Sequence, residues 1–266
     1  MKWYVIFLLM MMTGLIIASY FLFRENSHSN HVQFLSKEEL IDILLENQDR
    51  YYDTFTNHDL KVRKISDIEE YYSIIRSSAC NGTDDLKKKI TKCIEKLNGK
   101  LRKIEEESLY GISCKKLMDI PWKIGFTCDR NYENGFPHTR NDVIILNSTD
   151  CMNRSETRLC KLVLHEKVHV YQKMYKPEMD KYVLDSGYTI LKTKPIRDEN
   201  SLYSANPDVD SIVYGHRETK EEFYAKYREN PKSFQDIQYP NDDPKYEHPF
   251  EKIAYDIETD IMEDRV

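Results

Sequence analysis

The chain has 266 residues, 40% of them hydrophobic and 12% aromatic, which suffices for one well-packed domain or at most two small ones. Charged residues make up 32% and the formal net charge is -6, with no basic stripe, which argues against a nucleic-acid partner. With only 8 glycines, the sequence offers no phosphate-cradling loop of the dinucleotide or P-loop kind.

The first predicted element is an uncharged run at residues 3–23, WYVIFLLMMMTGLIIASYFLF. As a helix it would be about 31 Å long at about 1.5 Å per residue, which matches the hydrocarbon core of a bilayer. Bulky residues continue to the end of the run, where a cleavage site would need small ones. The run therefore predicts a transmembrane anchor over residues 1–24, with a cleaved signal sequence as the alternative, followed by one domain over residues 25–266.

All 6 cysteines follow this run, as do the glycosylation sequons at Asn81, Asn147 and Asn153. An even number of cysteines in an exported domain is compatible with up to three disulfides, whose pairing the sequence leaves open. These features predict a single-pass membrane protein with a lumenal or external domain, or a secreted protein if the run is cleaved. Reduced, buried cysteines in a cytoplasmic domain are the alternative.

Two helices are predicted early in the domain. Ser36 is a capping serine followed by acidic residues, and the helix that it begins is expected to run to about Asp53. Between Asp84 and Glu107, apolar residues three and four apart predict an amphipathic helix whose apolar stripe faces the core.

The second half of the domain mixes strand and helix signals. The β-branched run VIIL at residues 143–146 predicts a strand, and Ser155 caps a helix that reaches Tyr175. Residues 180–245 are rich in Asp, Asn, Pro and Tyr, which predicts an irregular region, and a last helix begins at Pro249. We expect an α+β domain that is mainly helical with a small sheet.

The helix after Ser155 contains the pattern H-E-x-x-H, as His165, Glu166, Lys167, Val168 and His169. Residues i and i+4 share a helix face, so both imidazoles can bind one ion, while Glu166 lies about 100° away around the axis. Zinc with three protein ligands lowers the pKa of its water to about 7, and a nearby carboxylate can take the proton. The pattern predicts bound Zn²⁺ and peptide hydrolysis; two helix-face histidines held by core hydrogen bonds are the alternative.

The segment VLHEKVHVYQ, residues 163–172, resembles the active-site helix of zincin metallopeptidases. The resemblance implies a zincin-like catalytic domain with His165 and His169 as Zn²⁺ ligands, Glu166 as general base, and a peptide or protein substrate. The motifs ENGFPHTR, NPD and EHPFEKIAY, within residues 120–260, are loosely similar to metallopeptidases predicted in large DNA viruses.

Two positions distinguish this segment from one zincin group. Gln172 and Tyr175 stand where the metzincin pattern H-E-x-x-H-x-x-G-x-x-H has its glycine and its third histidine. The sequence is therefore more similar to gluzincins, in which a glutamate from a later helix is the third ligand.

Glu251 is the predicted third ligand. Pro249 suits the first turn of a helix, which places Glu251 early on that helix with the small Ala254 one turn later, so that the two helices can pack closely. The separation from His169 is long for a gluzincin, and a surface glutamate is the alternative reading of Glu251. The competing ligands are His248, Glu258, Glu199 and His216.

Substrate contacts are predicted by the same resemblance. In zincin folds the edge strand before the metal helix pairs with extended substrate, which assigns this role to Val143, Ile144 and Ile145, with a plain core strand as the alternative. Tyrosines and histidines after the metal-binding motif can donate a hydrogen bond to the oxyanion of the tetrahedral intermediate. The candidates are Tyr214, His216 and Tyr255.

The sequence thus predicts zinc-dependent hydrolysis of peptide bonds by a membrane-anchored enzyme. The alternative is a membrane-displayed binding or scaffold protein with a structural or degenerate zinc site. Structural zinc sites are usually rich in cysteine, and Cys160, five residues before His165, projects elsewhere on the helix.

Overall fold

The computed structural model describes residues 32–104, 108–193 and 199–266. The helices are α1 (Lys37–Glu46), α2 (Asn57–Arg63), α3 (Ile68–Ser78), α4 (Asp84–Leu101), α5 (Cys114–Asp119), α6 (Ser148–Asn153), α7 (Glu156–Met174), α8 (Lys176–Asp185) and α9 (Pro249–Met262). The strands are β1 (Val32–Phe34), β2 (Ala79–Cys80), β3 (Ser108–Leu109), β4 (Ile112–Ser113), β5 (Trp122–Thr127), β6 (His138–Arg140), β7 (Val143–Asn147), β8 (Tyr188–Thr193), β9 (Ile212–His216), β10 (Glu222–Phe223), β11 (Lys226–Tyr227) and β12 (Ile237–Gln238).

The largest sheet has the order β1-β5-β7-β6, and β2 also pairs with β5. β1, β5 and β7 are parallel, whereas β6 is antiparallel to β7 and lies at the end of the sheet. The strand predicted at residues 143–146 is confirmed as β7, but it is an inner strand. The prediction that Val143, Ile144 and Ile145 form the substrate-binding edge is wrong, because β5 and β6 pair with β7 on its two sides.

Helices cover both faces of this sheet. Ile144 and Leu146 pack with α4, α7 and α9 on one face, whereas Val143 and Ile145 pack with α1 and α3 on the other. This alternation follows from the two-residue period of a strand, and burial on both faces explains why the run is continuously apolar. The helix α7 therefore lies on the sheet with its outer side against α4 and α9.

Helix ends follow the capping residues. The hydroxyl of Ser36 accepts a hydrogen bond from the Glu39 amide as predicted, but α1 ends at Glu46, because Asn47 adopts a left-handed conformation with φ 49°. The helix from Asp84 also ends early, at Leu101. The helices predicted from Ser155 and from Pro249 are confirmed as α7 and α9.

The region 180–245 is more regular than predicted. A three-stranded antiparallel sheet, β10-β9-β8, and the pair β11-β12 lie within it. The prediction of an irregular region is wrong here because β8 pairs with β9 across a long connection, so the strands depend on tertiary pairing and carry little local periodicity.

The predicted α+β class with a small sheet agrees with the structure. The transmembrane helix that was part of the same fold prediction is not found in the described residues. None of the helices in the three described ranges is both long and apolar enough to cross a bilayer. The run at residues 3–23 lies outside those ranges. The described fold is therefore an α+β unit over residues 32–266, which is compact by itself.

A buried ion pair holds the turn before β6. Glu133 and Asn134 have positive φ values of 48° and 53°, a conformation that costs non-glycine residues about 1 kcal/mol or more. Arg63 donates to both carboxylate oxygens of Glu133, at 3.0 and 2.8 Å. Burial opposes the charge, but Arg63 holds the pKa of Glu133 below its ordinary value. The ion pair therefore holds the turn that leads to β6.

One disulfide joins two paired strands of the large sheet, and another joins two helices. Cys80 pairs with Cys128 at the end of β5, and Cys93 of α4 pairs with Cys160 of α7. The second bond fixes α7 five residues before His165. Of the three disulfides that the sequence allowed, the structure forms these two, and Cys151 is buried outside both.

The bond between α4 and α7 gives a stability prediction. Replacing both Cys93 and Cys160 with alanine should lower the free energy of unfolding by about 2 to 5 kcal/mol, because the cross-link restricts the unfolded chain. Cys151→Ala removes a buried sulfur without a cross-link and should cost about 1 kcal/mol. Urea unfolding of both variants measures the difference, and equal losses would contradict the structural role of the bond.

Candidate metal centre

Two helices face each other across a buried centre. His165, His169 and Gln172 are spaced by four and then three residues on α7, so they lie on one face. The small side chain of Ala254, on α9, is fully buried and permits a close approach of the two helices. The residues of α9 that contact this face include Glu251, Tyr255 and Glu258.

Three ligand atoms converge between the helices. The Nε2 atoms of His165 and His169 are 3.0 Å apart, and Glu251 Oε2 is 3.2 Å from the first and 3.4 Å from the second. For four ligands placed tetrahedrally at about 2.0 Å from zinc, neighbouring ligand atoms are about 3.3 Å apart. The three side chains therefore have the spacing of three corners of a zinc tetrahedron, and within the described residues they form the cluster able to hold a metal.

The far ring nitrogens of the two histidines lie near acceptor oxygens, but within the described residues only that of His169 forms a hydrogen bond. His169 Nδ1 lies 2.8 Å from the amide oxygen of Gln172, and His165 Nδ1 lies 3.3 Å from a carboxylate oxygen of Glu258. A proton on each Nδ1 leaves both Nε2 lone pairs directed to the centre, which is the tautomer that metal binding requires. Gln172 also donates to the carbonyl oxygen of Phe250 at 3.0 Å, beside Glu251.

The carboxylates make the centre favourable for a cation. Burial lowers the pKa of His165, but Glu251 and Glu258 raise it well above its ordinary value. Burial also opposes charge on His169, whose pKa is raised by Glu251. Although burial disfavours the ionised form of Glu251, the two imidazoles lower its pKa. The two carboxylates thus favour positive charge in the centre.

Glu166 is buried beside this cluster. The residue is only 2% exposed, and its Oε2 atom has no hydrogen-bond partner among the residues that the structure describes. Burial, followed by the nearby carboxylate of Asp208, raises the pKa of Glu166 to about 8. One carboxylate oxygen is therefore available to hold a proton.

The other residues of α9 and the loops have different surroundings. The rings of Tyr255 and His165 are in edge contact at 4.6 Å, so Tyr255 borders the centre. Glu258 lies against the far nitrogen of His165 and does not join the three ligand atoms. Glu199 is exposed, and its carbonyl oxygen accepts from the Asn57 amide.

The second sheet holds two of the predicted residues in other contacts. The ring of Tyr214 packs against His248 at 4.9 Å, and His216 Nε2 lies 3.2 Å from the Ser186 carbonyl oxygen. His248 caps α9, and its Nε2 is 3.1 Å from a carboxylate oxygen of Asp210. Tyr214 thus packs against the start of α9 through His248, whereas His216 contacts the end of α8.

Several residues at the centre escaped the motif-based prediction. Gln172 could have been found, since it lies on the same helix face as the two histidines. Asn206 donates to Glu251 Oε1 at 3.3 Å, and Asp208 accepts from the Thr139 amide at 2.7 Å. Both belong to the NPD motif, Thr139 belongs to ENGFPHTR, and Glu251 belongs to EHPFEKIAY, so motifs far apart in the chain meet here.

Comparisons of the chain with protein-family models, with curated proteins and with solved structures find no match. Fold class alone does not define an activity. The assignment of function therefore depends on the chemistry of this centre.

Gln172 provides a test that leaves all three ligands in place. We expect Gln172→Ala to weaken Zn²⁺ binding about 10- to 100-fold, because His169 loses the acceptor that fixes its ring and tautomer. Competition with a chromophoric chelator measures the dissociation constant. The exposed Gln235→Ala is the matched control and should not change it; equal affinity of both variants would show that Gln172 does not orient His169.

Proposed function

We propose that the chain is a zinc-dependent peptidase in which His165, His169 and Glu251 hold the metal and Glu166 is the general base. The observation that carries this proposal is the convergence of three ligand atoms 3.0 to 3.4 Å apart. A buried carboxylate oxygen without a hydrogen-bond partner in the described residues lies on the same helix, one residue from the first ligand. Together these groups have the chemistry that peptide hydrolysis requires.

Each residue has a separate task in this proposal. Zinc, when bound, supplies an activated water and polarises the substrate carbonyl. Glu166 takes a proton from the attacking water and delivers it to the leaving nitrogen, so that the broken C–N bond is replaced by C–O and N–H bonds. Tyr255, which borders His165, donates a hydrogen bond to the carbonyl oxygen as it gains negative charge.

A purely structural zinc site is the competing function. Such sites are closed by four protein ligands, usually including cysteine. The metal-binding cluster found in the described residues has three members, and Cys160 is bonded to Cys93. A cluster of three ligand residues that includes no cysteine favours the catalytic proposal over a binding or scaffold role.

Glu166→Gln tests whether zinc binding and peptide hydrolysis depend on different residues. We expect the variant to keep its zinc, since Glu166 is outside the ligand cluster, and to lose at least about a hundredfold in hydrolysis of quenched-fluorescent peptides of random sequence. Zinc content and initial rate are measured on the same preparation.

The matched control is Glu156→Gln, at the half-exposed start of the same helix, where Glu156 pairs with Lys92 and Lys96 of α4. It should keep both zinc and activity. The proposal fails if the Glu166→Gln variant retains full activity, or if zinc-loaded wild type cleaves no peptide.

A further inference from the structure

Residues 201–211, which we call the strap, connect the second sheet to the metal centre. At Asn206 the strap donates to the third ligand, Glu251. At Asp208 it reaches β6, the strand at the end of the large sheet. The same short segment therefore contacts both the metal ligands and the sheet edge beside them.

The middle of β6 is occupied by side chains of the protein itself. Thr139 donates its amide to Asp208 Oδ1 at 2.7 Å, and its carbonyl oxygen accepts from Lys173 Nζ at 2.8 Å. In an antiparallel pair every second residue directs both peptide groups away from its neighbour, and Thr139 is that residue in this three-residue strand. An added strand would need these two groups.

The metal centre is also covered. His165 and Glu251 are each 8% exposed, Glu166 is 2% exposed and His169 is 1% exposed. A polypeptide substrate needs both the ligand cluster and an adjacent run of backbone hydrogen-bonding groups. In this conformation neither is open to an extended chain.

Contacts on either side of Asn206 and Asp208 fix the strap to the rest of the domain. The Ala205 amide donates to Asp59, and Asp210 contacts His248 and Lys176. Between them, the bonds of Asn206 and Asp208 to the centre and to β6 are made through side chains. Strap residues also line a cavity of about 220 Å³ whose other wall includes Thr54 and Thr56, so the middle of the strap has space behind it.

We propose that the strap is autoinhibitory: Asp208 occupies the position on β6 that a carbonyl oxygen of an extended polypeptide substrate takes, and it leaves before substrate binds. The inference rests on the proposed peptidase function. It extends that function by assigning a latent state and a polypeptide that binds as an added strand. If the strap is not autoinhibitory, Asp208 and Lys173 serve only to keep the edge strand from pairing with another chain and aggregating.

Binding is the informative readout, because the charge of Asp208 also acts on Glu166 and would confuse a rate measurement. The test uses the full chain carrying Glu166→Gln, loaded with zinc, and fluorescein-labelled casein as the extended polypeptide. Fluorescence anisotropy gives the dissociation constant with and without Asp208→Ala. We expect about three- to tenfold tighter binding with Asp208→Ala, since the peptide no longer displaces a charge-assisted hydrogen bond.

Asp208→Asn is an intermediate variant. It keeps an acceptor for the Thr139 amide but loses the charge beside Lys173, whose Nζ is 3.5 Å away. Its affinity for casein should therefore lie between that of the parent and that of Asp208→Ala. Because its shape is nearly unchanged, it decides the question if Asp208→Ala does not fold. Asp185→Asn, exposed and paired with Lys181, is the control and should bind casein as the parent does.

The outcomes separate the two proposals. Zinc-loaded variants whose casein affinity is unchanged or weaker would overturn the strap proposal and leave the peptidase proposal standing. Absence of zinc binding in every folded variant would overturn the peptidase proposal, and the strap proposal with it.

Discussion

The contact between α7 and α9 is the constraint on which the site depends. It buries two imidazoles and a carboxylate within 3.4 Å of one another, an arrangement that is unfavourable unless positive charge lies among them. Gln172 holds the contact together, because its amide group joins the ring of His169 to the backbone of Phe250. The large sheet and the Cys93–Cys160 bond to α4 also hold α7, so the proposed ligands lie on rigid elements.

Local features of the site were readable from the sequence. The two histidines share a face because an α-helix places i and i+4 together, and no tertiary information is needed for that. Glu251 was predicted because Pro249 fixes the start of α9 two residues earlier, although its meeting with His165 across the fold is a tertiary event. The structure brings these residues together, while the identity of the ion stays a prediction.

Other features could not be read because they depend on pairing between distant segments. β6 has three residues and follows Pro137, so it shows no alternation, yet its pairing with β7 turns the predicted edge strand into an inner one. Asp208 meets Thr139 across much of the chain, and only its place in the NPD motif marked it. A polar loop residue of this kind resembles any other solvent-facing side chain in sequence.

The helix α7 also contacts the strand at the end of the large sheet. Lys173 lies one turn beyond His169 and binds the carbonyl oxygen of Thr139, while Asp208 binds the amide of the same residue. The charge of Asp208 raises the pKa of Glu166 as well, after burial. The proposed metal ligands, the proposed general base and the edge strand β6 are thus connected through α7 and the strap.

If His165, His169 and Glu251 bind one metal ion, as we propose, the metal content of the protein must depend on each of them. Elemental analysis after exhaustive dialysis would compare wild type with His165→Ala, Glu251→Ala and the control Glu263→Ala, at the exposed end of α9. We expect about one zinc per chain in wild type and in the Glu263→Ala control, and no zinc in His165→Ala or Glu251→Ala. A folded wild type without zinc, or a Glu251→Ala variant that keeps it, would contradict the proposed metal centre.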